Sequence, residues 1–304
     1  MSILIDENKK VIIQGITGRE GMARAKLMLG FGTKVVAGCT PGKGNQEVLG
    51  IPVYDTVKEA VEYLGNIDIS VLFVPAPLVK DAALESFDAG IKLVVIIPDR
   101  VPIYDVMEIA TFAKYYSSSF LGPNTLGCLS PEKGVLGMMG GKSETAKKFF
   151  KKGPVGITSR SGGITTSLAY YLNKFGIGQT TIVHVGGDSI VGMPHPEIIK
   201  LFQKDEETRL VVMFGEIGGS QEEQVAELIE TKQFTKPLVA YIGGKAAKEG
   251  TRFSHAGAIV EGNRGSWKGK VERLRACGAH VVEDFDKIPE VTKKVLEELK
   301  VSIC

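Results

Sequence analysis

A chain of 304 residues, 43 % hydrophobic and 24 % charged, has room for two α/β domains and the make-up of a globular protein in water. A net charge of +2 supplies none of the basic field that binds nucleic acid by counterion release, which excludes DNA and RNA as expected partners. No apolar run reaches about 18 residues, and Met1-Ser2-Ile3-Leu4-Ile5-Asp6 reads as neither signal nor transit peptide, so no membrane partner is expected. Cys39, Cys128, Cys277 and Cys304 are scattered without CxxC or metal-ligand spacing and read as reduced thiols of a cytoplasmic protein without a tightly bound metal.

In chain order, residues 1 to about 130 alternate β-branched runs with amphipathic stretches. Val11-Ile12-Ile13, Val35-Val36-Ala37, Val71-Leu72-Phe73-Val74 and Leu93-Val94-Val95-Ile96-Ile97 are continuous apolar runs of strand length, the pattern of strands buried on both faces. Lys58 to Leu64, Lys80 to Ala89 and Val106 to Tyr115 carry helical spacing. The alternation predicts a doubly wound parallel sheet with right-handed crossovers.

The first strand runs into Gly15-Ile16-Thr17-Gly18-Arg19-Glu20-Gly21 and then a helix. Glycines there let backbone N–H groups and the helix N-terminus approach a phosphate. The spacing is GxxGxxG rather than GxGxxG, and the second strand ends Gly38-Cys39-Thr40 without an acidic residue for a ribose hydroxyl. Both features count against NAD. Pro41-Gly42-Lys43-Gly44 offers a cation instead, so a phosphate-bearing ligand outweighs a purely structural turn. Val74-Pro75-Ala76-Pro77 and Ile97-Pro98-Asp99 stop two further strands at the same edge, where open α/β sheets bind ligands. Gly122-Pro123-Asn124-Thr125-Leu126-Gly127 closes this domain and is expected as the hinge into the next.

After a charged helix over 143 to 152 the alternation restarts. Val155-Gly156-Ile157-Thr158 is a strand, followed by Ser159-Arg160-Ser161-Gly162-Gly163 and a helix to about Phe175, a second ready anion site. Strands are expected at Thr180 to Val185, Leu210 to Phe214, Pro237 to Ile242 and Ala279 to Val282, with a terminal helix from Ile288 to Lys300. With parallel strands, Gly163, Asp188 and Glu216 share one edge with His255, which lies in Thr251-Arg252-Phe253-Ser254-His255-Ala256-Gly257-Ala258-Ile259 among small residues. A neutral imidazole is a competent nucleophile, a carboxylate fixes its tautomer, and bare helix N–H groups receive an anion carried on it. That combination suits a phosphohistidine. Gly250, Gly257 and Gly262 fit a mobile loop there and fit ordinary turns equally well. A Ser/His/Asp hydrolase with Ser161 as nucleophile is the rival, weakened because no G-x-S-x-G centres on that serine. His184 reads as a core residue, His195 as a helix-start loop residue and His280 as a surface residue.

Together these motifs resemble the α subunit of succinyl-CoA synthetase, the succinate–CoA ligase, over essentially the whole chain. The resemblance rests on Gly15 to Gly21, Thr40 to Gly44, Val74 to Pro77, Gly122 to Asn124, Ser159 to Gly162, Gly215-Glu216-Ile217-Gly218-Gly219 and His255 to Ile259. It implies a Rossmann-like CoA-binding domain over 1–130 and a flavodoxin-like ligase domain over 131–304. Thr17, Gly18, Arg19, Glu20 and Lys43 would lie around the nucleotide and phosphates of coenzyme A, and Ile97, Pro98 and Asp99 along its chain toward the thiol. His255 would be transiently phosphorylated with Glu216 as its hydrogen-bonded partner, and Ser161, Gly162, Gly163 and Thr166 would meet the acid and the phosphate. ATP or GTP with Mg²⁺ would sit on a separate ATP-grasp β subunit in an αβ or (αβ)₂ assembly.

One departure concerns the acid. Succinate-specific members continue with Thr-Leu-Thr-Tyr-Glu after Ser-Gly, whereas this chain has Gly163-Ile164-Thr165-Thr166-Ser167, more like ATP-citrate lyase and citryl-CoA synthetase. Selectivity built on hydrogen bonding responds strongly to such exchanges, so malate and citrate stand beside succinate. A CoA-binding regulatory protein without catalysis is the alternative of another class.

Overall fold

The computed structural model describes residues 2–246 and 265–301. Its contacts divide the chain into two compact units, one of Leu4–Lys147 with Ile190–Gly192, the other of Met1–Ile3, Lys148–Ser189 and Met193–Cys304. By these contacts the main division along the chain falls between Lys147 and Lys148. Gly122 to Gly127, expected as a hinge, lies inside the first unit, where the Asn124 N–H donates to Pro98 and the Gly192 N–H to Gly122.

In the first unit β1 (Val11–Gln14), β2 (Val35–Cys39), β3 (Gln46–Val48), β4 (Ile51–Tyr54), β5 (Ile69–Leu72), β6 (Leu93–Ile96) and β7 (Ser119–Leu121) form one sheet in the order β3-β4-β2-β1-β5-β6-β7. Only β3 pairs antiparallel, as a short hairpin with β4. The remaining strands run 3-2-1-4-5-6, the Rossmann order, which reverses direction between β1 and β5. Helices α1 (Arg19–Phe31), α2 (Val57–Leu64), α3 (Val79–Asp88) and α4 (Ile103–Tyr115) cover the sheet. β1, β5 and β6 are buried at every position, so their polar residues must find partners inside. Gln14 does so by donating from Nε2 to the Ala82 carbonyl and the Ser70 and Ser86 hydroxyls. A hairpin of β8 (Gly127–Ser130) and β9 (Gly134–Gly137) completes the unit, with the Thr33 hydroxyl bonded to both backbone groups of Val135.

α5 (Ser143–Phe149) leads into the second unit and ends before the expected 152, because Lys152 already belongs to the next strand. There β10 (Lys152–Ser159), β11 (Gln179–His184), β12 (Leu210–Glu216), β13 (Leu238–Gly243) and β14 (His280–Val281) run in the order β14-β13-β12-β10-β11. All are parallel, and their chain-order sequence 2-1-3-4-5 is that of flavodoxin-like sheets. The reversal lies at β10, flanked by β11 and β12. Helices α6 (Gly162–Lys174), α7 (His195–Lys204), α8 (Gln221–Glu230), α9 (Trp267–Ala276) and α10 (Ile288–Glu298) complete it.

Candidate functional site

The first glycine-rich turn is shaped by packing. Gly15 takes φ +76°, a left-handed conformation that favours glycine. A Cβ on Gly21 would stand 2.1 Å from the Gly15 carbonyl oxygen, so α1 can start against the turn only with glycine there. The Gly18 N-cap brings no side chain to the first helical N–H groups, which leaves them for a ligand. Thr17 ties this turn to the loop after β2 through a 3.2 Å bond to the Thr40 hydroxyl, and the Lys43 N–H closes that loop on the Thr40 carbonyl.

Arg19, Glu20 and Lys43 are exposed beside the turn, Glu20 pairing with Arg24 on its own helix. Ile97, Pro98 and Asp99 follow β6, so parallel pairing through β5 brings them to the same edge. The eight residues expected around CoA thus share the carboxyl edge of one sheet. A neighbouring hollow near Asn45 and Tyr63 carries the carboxylates of Glu47, Asp55 and Glu59, the wrong sign for a polyphosphate.

In the second unit the reversal of strand order sets the site. β10 ends at Ser159, β12 ends at Glu216, and the two strands are direct neighbours. Arg160, next after β10, turns its guanidinium to the end of β12. Nε donates to Glu216 Oε1 at 3.0 Å and Nη2 to the Asp188 carbonyl at 3.2 Å. The side chains of Arg160 and Glu216 are only 6 % and 12 % exposed. Asp188, expected to offer its carboxylate, meets Arg160 through its backbone. β12 runs two residues further than expected, and Glu216 sits in register with Gly243 of β13.

Beside this pair, Ser161 is the N-cap residue of α6, and its side chain does not cap the helix. The N–H groups of Gly162, Gly163 and Ile164 precede the first intrahelical bond, from Thr165 to Ser161. A Cβ on Gly163 would meet nothing within 4 Å, so this glycine keeps space open rather than relieving a clash. Thr166 turns its hydroxyl back to the Gly163 carbonyl at 3.0 Å.

The polar groups under Glu216 are buried. Its N–H donates to Glu222 Oε1 at 2.9 Å. Glu222 pairs with Lys270, which also donates to the Gly218 carbonyl at 2.8 Å. Burial, the largest single effect on the Glu222 carboxyl, raises its pKa, but the Lys270 ammonium, His195 and the hydrogen bonds from Lys270 and the Glu216 N–H together lower it. His195 is fully buried at the start of α7, bonded through Nδ1 to the Thr158 hydroxyl at 2.8 Å. Burial pushes its pKa down to about 4; Glu222 pulls the other way, while Arg160 and Lys270 reinforce the drop. It is a core residue, where a loop residue was expected. His184 is buried as expected and donates from Nε2 to the Arg160 carbonyl.

His255 lies outside the described residues. The strand before its segment and the turn leading into α9 after it both reach the turn that follows Glu216: the Ile217 N–H donates to the Gly243 carbonyl, and the Gly218 N–H to the Gly265 carbonyl.

Arg160, Glu222 and Lys270 were not among the expected site residues. Arg160 stood inside a recognised motif, and its guanidinium beside a glycine turn was the available signal. Glu222 and Lys270 are 48 residues apart, and nothing in their spacing announces that they meet.

A model described as a CoA binding domain matches residues 6–99, and one described as CoA-ligase matches 158–280. The chain is 46 % identical over 302 residues to the ADP-forming succinate–CoA ligase subunit alpha of Aquifex aeolicus, covering 99 % of this chain and 96 % of that one. It is 43 % identical over 302 residues to a subunit of the ADP-forming sulfoacetate-CoA ligase of an Acholeplasma species, covering 99 % of each. The ATP citrate lyase structure from Methanothrix soehngenii, with citrate and coenzyme A, shares the fold at a TM-score of 0.90 and 24 % identity. That match covers 98 % of this chain and 51 % of the lyase chain, about half its length.

Proposed function

The chain belongs to the succinate–CoA ligase alpha-subunit family, and from that premise we propose that it binds CoA in its first unit and carries a transient phosphoryl group on His255 during acid–CoA ligation. A carboxylate is a poor electrophile, and a thiol cannot displace oxide from it. Phosphoryl transfer from a nucleoside triphosphate to His255 and then to the acid gives an acyl phosphate. The CoA thiolate attacks that carbonyl and phosphate leaves. Glu216 accepts the imidazole N–H and stabilises the charged ring, and the first N–H groups of α6, with Ser161, receive the phosphoryl oxygens.

The observation that carries this reading is the placement of Glu216. It stands at the strand-order reversal, held by Arg160 at 3.0 Å, with both flanks of the His255 segment bonded to the next two residues. In the first unit, the bare N-terminus of α1 with Arg19 and Lys43 fits the CoA phosphates, Thr17, Gly18 and Glu20 border them, and Ile97, Pro98 and Asp99 line the way to the thiol. Among the described residues no helix is long and apolar enough to cross a membrane, and the reading places the protein in the cytoplasm. ATP or GTP with Mg²⁺ is assigned to a separate β subunit of ATP-grasp type, in an αβ or (αβ)₂ assembly.

Incubating the reconstituted complex with γ-labelled ATP is expected to place acid-labile, base-stable phosphate on this chain. A His255→Asn chain that still labels and turns over would refute the assignment. Labelling also separates the rivals: a regulatory CoA binder takes up no phosphate, and a hydrolase is captured at Ser161 by a serine-directed reagent.

Succinate leads as the acid. The open side of Gly163 and the short Thr166 hydroxyl leave room for another headgroup, and a relative at 43 % identity is a sulfoacetate ligase subunit. A panel of succinate, malate, citrate and sulfoacetate, read by thioester formation, decides among them.

A further inference from the structure

Arg160 is held more firmly than a motif residue beside a glycine turn requires. Its N–H donates to the Phe214 carbonyl, its own carbonyl accepts from His184 Nε2 at 3.0 Å, and its guanidinium reaches Glu216 and the Asp188 carbonyl. Glu216 is fixed as tightly, by strand register with Gly243 and by its N–H bond to Glu222. Both ends of the ion pair therefore rest on strand termini of the central sheet, the rigid kind of support that a working side chain needs.

Stability does not explain such a pair. Taking two charges out of water costs about as much as their attraction returns, and apolar side chains of similar volume usually serve a core as well. Orientation does explain it. A carboxylate offers roughly four lone-pair sites. The bond from Arg160 Nε to Oε1 selects one rotamer of Glu216. A lysine is a point charge on a flexible stem and cannot serve Glu216 and the Asp188 carbonyl as a fork does.

We propose that Arg160 is a positioning residue of the phosphoryl-transfer step: it holds the Glu216 carboxylate in the orientation in which that carboxylate serves the phosphorylated histidine. The inference rests on the role given above to Glu216. It extends the working machinery to a side chain that acts only through another.

The test uses the reconstituted complex and compares wild type, Arg160→Lys, Arg160→Gln, Glu216→Gln and the Arg160→Gln/Glu216→Gln double variant. The readouts are the single-turnover rate of label transfer from γ-labelled ATP and the affinity for CoA. Arg160→Gln is expected to slow labelling about 10–100-fold, with CoA affinity unchanged within about twofold. Arg160→Lys should recover part of the rate. The double variant should be no slower than Glu216→Gln alone, a non-additivity that general damage to the fold does not produce.

Wild-type labelling by Arg160→Gln beside a slow Glu216→Gln overturns the inference and leaves Glu216 its role. A double variant slowed by the product of the two single effects overturns it as well. Wild-type labelling by Glu216→Gln sinks the reading beneath it. Should Arg160→Gln fail to fold, Arg160→Lys and its double with Glu216→Gln carry the same comparison, with full-rate labelling by Arg160→Lys counting against the inference.

Discussion

Gly21 stands where the first strand hands over to its helix, and its missing side chain decides how closely the two approach. The atom a Cβ would strike is a backbone oxygen, which cannot rotate away as a side-chain tip can. Gly21→Ala is expected to cost about 2–3 kcal/mol, seen as a lowered thermal midpoint. Weaker CoA binding should accompany it, because the turn and the helix N-terminus shift together. Gly163 gives the contrast. With open space at its side, Gly163→Ala should leave the thermal midpoint close to wild type while changing the Michaelis constant for the acid. The sequence marks both positions only as glycine. What separates a packing requirement from spare room is the distance to the nearest neighbour, and a one-dimensional pattern does not contain it.

At the scale of elements, continuous apolar runs made the long strands legible. β1, β5, β6 and β12 are buried throughout or nearly so, and runs dominated by β-branched and aliphatic residues fill such positions. The β3–β4 hairpin escaped because Gln46, Glu47 and Pro52 are exposed and break the pattern. Met193-Pro194-His195-Pro196 reads as the loop at a helix start, yet His195 and Pro196 already belong to α7, where proline is well placed in the first turn. α8 and α9 are joined by a contact that no periodicity reports, the buried pair of Glu222 and Lys270. Lys270→Met would strand the Glu222 carboxylate without its cation. A loss of about 3–5 kcal/mol in urea unfolding is expected, partly restored by adding Glu222→Gln. Glu216 hangs from the same carboxylate by its N–H, so labelling should slow in the single variant.

For the molecule as a whole, acid is the exposed flank. His195 stays neutral in the fold down to about pH 4, whereas in the unfolded chain it takes up a proton near its ordinary value of 6.5. Between those limits the unfolded state binds the extra proton, so stability is complete above pH 6.5 and drains away as pH falls. The loss approaches the order of 3 kcal/mol at pH 4. Glu222 acts in the same direction: its lowered folded pKa supplies stability above the ordinary carboxylate range that is lost as pH falls through the lowered value. Urea midpoints at pH 5 and 7.5 should differ more for wild type than for His195→Asn, which has no ring to titrate. An equal difference in both would remove His195 from the account.

The interleaved strand order has a consequence for how the protein is made. Arg160 and Glu216 are separated by 56 residues, and a nascent chain must emit β11 and α7 before the strand bearing the glutamate can dock beside β10. Until that long-range zipper closes, guanidinium and carboxylate stay apart. The pair therefore forms only with the slow non-local contacts, and on the role proposed for it phosphoryl transfer would wait for finished folding.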